Sequence, residues 1–227
     1  MTEHRPSRMA GNSRASLALY WLGRMLVVGF FRVWTRLTVE GREHVPATGA
    51  FVVAPAGHRS NVDTPVTGAV SRRRLRFMGK DTLWKSRPGG WLLSALGGFP
   101  VVRGTADREA LRRCIEVVMT GEPLVVFPEG ERKSGPIVQP LFDGAAYIAC
   151  RCRVPIVPVG IGGSERVMPK GKKMLRPRKM HLVVGPPLHP PVDEQGRVRR
   201  RAVKELTEQL HTELQRLFDE AQAKARA

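Results

Sequence analysis

A chain of 227 residues with 42% apolar content is long enough to bury one substantial core and to fold without help. Its charge is unusual: 38 Lys and Arg against 20 Asp and Glu leave a formal +18, which calls for an anionic partner, either nucleic acid or an anionic membrane surface. The cysteines Cys114, Cys150 and Cys152 give neither a disulfide framework nor a zinc-ligand spacing, so they read as packing residues in a reducing cytoplasm.

Residues 17–37, LALYWLGRMLVVGFFRVWTRL, are apolar but interrupted by Arg24, Arg32 and Arg36. A spanning helix needs ~20 nearly uninterrupted apolar residues, and no small-residue cleavage site follows, which argues against a secretory signal. Arginines toward one side, an apolar body and Tyr20, Trp21 and Trp34 near the ends predict a helix lying in a bilayer surface, with Gly23 and Gly29 allowing a break into two. The competing reading is an ordinary amphipathic helix packed on the domain. Residues 1–12 and 220–227 read as mobile tails.

After Val39 strands and helices alternate. Residues 51–54 predict a buried strand ending at Pro55, and 63–70 a helix with Asp63 at its start and Pro65 in its first turn. Residues 75–78 read as a strand, 89–96 as a short helix, 99–102 as a strand and 107–119 as a helix capped by Asp107. Then come strand 124–127, helix 144–152, strand 156–161 and strand 181–184, closed by Pro186-Pro187. From Val198 onward a charged amphipathic helix carries Val203, Leu206, Leu210, Leu214 and Leu217. The alternation predicts a single α/β layered domain, with a mixed, largely parallel sheet flanked by helices. Residues 1–37 form the tail and membrane-surface element, and 38–227 the α/β domain.

Two motifs sit where such folds place function, just after strands. His58-Arg59-Ser60-Asn61-Val62-Asp63 sets a carboxylate to return toward an imidazole, fixing its tautomer and stabilising the imidazolium formed on proton uptake. That pair activates an alcohol. With no Gly-x-Ser-x-Gly elbow in the chain, the alcohol is best read as the substrate's own. Phe127-Pro128-Glu129-Gly130-Glu131-Arg132 follows the apolar run 124–127. Gly130 permits close backbone approach, and Arg132 offers bidentate donors to a phosphate, with Arg103 as a second arm. Neither a P-loop spacing nor a metal-ligand cluster is present.

These residues make the chain resemble the glycerolipid acyltransferase family, in particular the bacterial 1-acyl-sn-glycerol-3-phosphate acyltransferases. His58 and Asp63 match a His-x-x-x-x-Asp block, residues 98–103 resemble a block ending in a substrate-binding arginine, residues 127–132 match Phe-Pro-Glu-Gly-x-Arg, and residues 154–159 match Val-Pro-Ile-Val-Pro-Val. The resemblance implies His58, oriented by Asp63, as general base on the sn-2 hydroxyl of lysophosphatidic acid. The alkoxide attacks the thioester of acyl-CoA or acyl carrier protein, giving phosphatidic acid for phospholipid synthesis. Glu129, Gly130, Arg132 and Arg103 hold the glycerol phosphate, and no cofactor or metal takes part. The implied location is the cytoplasmic face of the plasma membrane, peripheral or monotopic, on anionic lipid.

Two positions depart from the pattern. Gly57 stands where the family often has asparagine, which removes a polar group or opens room for a bulkier acceptor. Asp143 stands where a basic residue is common. The alternatives are acylation of another lysophospholipid or glycolipid alcohol, or a non-catalytic basic lipid-binding relative. A nucleic-acid binder, suggested by charge alone, lacks a recognition module.

Overall fold

The computed structural model describes residues 13–101, 108–169, 171–172, 174–191 and 198–227. Helix α1 spans Arg14–Trp34, and Ser13 caps it by accepting the Ser16 N–H at 3.1 Å. Strand β1 (Thr38–Glu40), which the sequence did not announce, precedes β2 (Val52–Ala56) and the short helix α2 (Asp63–Thr67). Then follow β3 (Arg76–Lys80), a 3-10 turn (Asp81–Trp84), α3 (Arg87–Ala95) and β4 (Gly98–Val101). Helix α4 (Arg108–Met119), β5 (Leu124–Val125), α5 (Gly144–Cys152), β6 (Ile156–Gly162), α6 (Ser164–Val167), β7 (His181–Val184) and α7 (Arg200–Arg226) complete it. The tail foreseen at 220–227 is instead the end of α7, with Ala221 and Ala225 buried.

The sheet order is β1-β7-β6-β2-β5-β3-β4. All its pairs are parallel except β6 with β7. Central strand β2 is buried on both faces, which is why it reads as an unbroken apolar run. Val52, Ala54 and Ala56 face the core under α4, α5 and α7, whereas Phe51 and Val53 face the core that includes Val28 and Phe31 of α1 and Val62 and Val66 around α2. Pro55 lies inside β2 rather than ending it. The carbonyls of Phe51 and Val53 accept from Leu124 and Val126 of the β5 segment, so the missing N–H of Pro55 points past the end of two-residue β5, where no ladder bond is needed. Helix α7 lies almost on the backbone of β6: a Cβ at Gly160 or Gly162 would come 2.2 Å from Leu217 O and 2.0 Å from Ala221 O.

Helix α1 is continuous; Gly23 and Gly29 do not break it. It is long and apolar enough to cross a membrane, yet Ser16, Tyr20, Val28 and Phe31 are buried against the domain. Tyr20, expected at the lipid interface, is buried and accepts the Leu75 N–H at 3.0 Å. Arg24, expected on a cationic outer face, turns inward, its Nε to Gly68 O (2.9 Å) and an Nη to Ser71 O (2.7 Å), satisfying carbonyls at the end of α2. Arg36 lies beyond the helix, with φ +49°. The outward face carries Leu17, Trp21, Leu22, Met25, Leu26, Phe30, Val33 (84% exposed) and Trp34, with Arg14 and Arg32 exposed among them. A helix packed on a soluble domain shows the reverse polarity, so α1 has the character of a membrane-surface element.

Candidate active site

Both motifs stand at the carboxyl ends of adjacent central strands, β2 and β5. The apolar run 124–127 leaves the sheet early: Val126 makes the last bond to β2, and the Phe127 ring stacks on His58, with centroids 4.3 Å apart. Gly57, in the left-handed region at φ +78°, turns the chain out of β2 to present His58.

His58 Nδ1 lies 3.3 Å from Asp63 Oδ2, and the imidazole is 17% exposed beside a fully buried carboxylate. Asp63 Oδ2 also accepts the backbone N–H groups of Arg59 (2.8 Å) and Ser60 (2.7 Å). Those bonds lock the carboxylate at the first residue of α2, so the imidazole is held by a preset anchor. With Nδ1 turned to Asp63, Nε2 is the nitrogen left to take a substrate proton.

The second motif underpins the first. Glu129, expected to contact substrate, is enclosed. Its Oε1 accepts the Gly57 N–H (3.1 Å), and its Oε2 takes Arg59 Nη1 (3.0 Å) and the Gln139 N–H (3.1 Å). Arg59, which the sequence reading passed over, is wholly buried. Its remaining donors reach Gly135 O and Ile137 O, and its guanidinium lies 5.2 Å from the centroid of the Phe218 ring. The Lys133 N–H then closes onto His58 O at 2.9 Å. A signal for Arg59 was available: a cation after a buried strand in one motif, and an acid after the adjacent strand in the other.

Gly130 has φ +74°, but what approaches it is protein: a Cβ there would meet the Phe142 ring at 2.6 Å. Arg132 is half-buried, one residue from the Lys133 bond to His58. Arg103 lies outside the described residues. The departures have local explanations. The space above Gly57 is filled by Phe218, whose ring would lie 2.4 Å from a Cβ at that position, so it opens no room for an acceptor. Asp143 is exposed and accepts from Thr207 Oγ1 at 3.0 Å, toward α7. Residues 154–159 prove to be the entry into β6, with 156–159 buried in the sheet. Among the described residues no cluster of His, Cys, Asp and Glu is placed to hold a metal.

A family model described as Acyltransferase matches residues 36–162, spanning both motifs. This chain belongs to the acyltransferase family. It is similar to the 1-acyl-sn-glycerol-3-phosphate acyltransferase of Bacillus subtilis, 31% identical over 152 residues that cover 66% of this chain and 73% of the relative. A lyso-ornithine lipid O-acyltransferase of Pseudomonas aeruginosa is 27% identical over 149 residues, 65% of this chain and 54% of that protein. The crystal structure of the 1-acyl-sn-glycerophosphate acyltransferase PlsC from Thermotoga maritima superposes with a TM-score of 0.68 at 27% identity, covering 89% of this chain and 79% of that one. The match spans only 44% of the chloroplastic Brassica napus relative and 55% of the human one. Membership of this family makes the chain an acyltransferase enzyme.

Proposed function

We propose that this acyltransferase moves a fatty acyl group from acyl-CoA, or acyl carrier protein, to the sn-2 hydroxyl of 1-acyl-glycerol-3-phosphate, giving phosphatidic acid. The observation that carries the reading is the His58–Asp63 pair at a strand end, with Asp63 fixed by two backbone donors. His58 Nε2 takes the hydroxyl proton as the oxygen attacks the thioester carbonyl. The tetrahedral intermediate collapses, the C–S bond breaks, and the imidazolium returns its proton to the leaving thiolate. Asp63 stabilises the imidazolium between those steps. Arg132 and Arg103 hold the phosphate, while Glu129, being enclosed, acts as a positioning residue rather than a ligand contact. Residues 1–37 attach the enzyme to the cytoplasmic membrane face, and 38–227 form the catalytic domain. The +18 charge supports an anionic surface and anionic substrates.

A second reading has a specific support. A relative named a lyso-ornithine lipid O-acyltransferase is matched, so another lyso-lipid alcohol is the alternative acceptor. The discriminating experiment is steady-state kinetics of His58→Ala and Arg132→Ala. His58→Ala loses turnover by about 10²–10⁴-fold with vesicle binding retained. Arg132→Ala raises the acceptor KM for the phosphate-bearing substrate more than for a phosphate-free lyso-lipid. A His58→Ala enzyme within tenfold of wild type would sink the general-base assignment.

A further inference from the structure

Helix α1 is not alone on its side of the sheet. The crossovers β2-α2-β3 and β3-α3-β4 step toward the same edge, so α2 and α3 lie on the face that α1 covers. Helices α1 and α3 touch, and a Cβ at Gly23 would come 2.8 Å from Leu96. Helix α3 buries Gly90, Ser94 and Ala95 and is pinned by Trp84, whose Nε1 donates to Ser94 Oγ at 2.9 Å. Its docking is therefore complete, yet Trp91 (58%) and Leu92 (43%) point outward beside Leu83 (56%) of the preceding turn. Lys80, Lys85 and Arg87, in and beside the same turn and helix start, are exposed as well.

An outward tryptophan and leucines with exposed cations close by in the chain, next to an apolar helix on the same face, match the chemistry of an anionic bilayer interface. A single helix in the interface leaves the domain free to roll about that helix's axis. A second contact beside it removes the freedom. The turn carrying Leu83 directly follows the carboxyl end of β3, the same end of the parallel strands as His58. Building on the membrane-surface reading, we infer that Leu83, Trp91 and Leu92, with Lys80, Lys85 and Arg87, form a second lipid contact. It fixes the roll of the domain about α1.

The test uses the full chain with Trp21→Phe and Trp34→Phe, so that Trp91 is the exposed reporter, and a Trp91→Phe control. The probe is vesicles of phosphatidylcholine and phosphatidylglycerol with brominated acyl chains. The inference predicts that Trp91 emission is quenched on binding, and that Leu83→Glu with Leu92→Glu weakens vesicle affinity by about tenfold. Vesicle binding that depends on α1, with Trp91 unquenched and the Glu variant neutral, overturns the second contact and leaves the α1 reading standing. No vesicle binding at all overturns both. Shielding of Trp91 from an aqueous quencher without lipid, together with a concentration-dependent dimer, assigns the patch to a second copy and equally overturns it.

Discussion

At the residue scale the site rests on one buried ion pair. Arg59 and Glu129 are both sealed from solvent, and each also satisfies backbone groups of the loop that carries the other motif. Glu129→Gln leaves a buried guanidinium without its counter-charge, and breaking such pairs costs about 3–5 kcal/mol. The expected outcome in thermal or urea unfolding is a destabilised enzyme with reduced kcat; unchanged stability with a raised acceptor KM would instead make Glu129 a substrate ligand. Gly57 and Phe218 form a second coupled pair, since any side chain at Gly57 meets the ring. Gly57→Asn should destabilise the fold, and Phe218→Ala should cost about 3–5 kcal/mol. The double variant should lose less than the sum, because the smaller residue admits the larger. Additive losses would show that the two do not share the space. The dyad and the Phe-Pro-Glu-Gly-x-Arg block were legible because their chemistry is local in the chain. The enclosure of Glu129, the role of Arg59 and the filling of Gly57 by Phe218 were not, because each partner comes from another element.

At the element scale, strands buried on both faces and helices with a regular apolar stripe were read closely. Helix α5 and strand β7 have the expected bounds, and the buried stripe of α7 is the predicted one. What escaped was β1, a polar edge segment whose pairing comes wholly from β7, more than a hundred residues away. The inner side of α1 escaped as well, where Tyr20 and Arg24 serve the domain through bonds the sequence does not display. The β1–β7 edge carries a pH dependence. His181 is hydrogen-bonded to Thr38 and lies 3.1 Å from Glu40, and burial holds its pKa below the ordinary histidine value of 6.5, outweighing the raising effect of Glu40. The neutral ring is therefore favoured in the folded state. Its contribution is present above the unfolded value and is lost as pH falls through the depressed folded one. Unfolding midpoints should decline as pH drops below about 6.5, and His181→Gln should flatten that decline. An equally steep decline in the variant would assign the effect to other groups.

At the scale of the whole molecule, one sheet brings the two motifs together at adjacent strand ends, and one face of that sheet carries the outward apolar surface of α1. In the proposed reaction the lipid acceptor comes from a bilayer and the thioester donor from water. The excess of positive charge favours that encounter on an anionic surface. The central claim is direct transfer to a lipid hydroxyl, without an acyl-enzyme. The measurement that tests it most directly is thiol release from palmitoyl-CoA by the purified protein, with and without 1-acyl-glycerol-3-phosphate, beside quantification of the lipid product. Direct transfer to this acceptor gives release only when the acceptor is present, matched mole for mole by phosphatidic acid. Release without acceptor would contradict direct transfer, whereas release that only a phosphate-free lyso-lipid supports would keep it and overturn the phosphate-bearing acceptor.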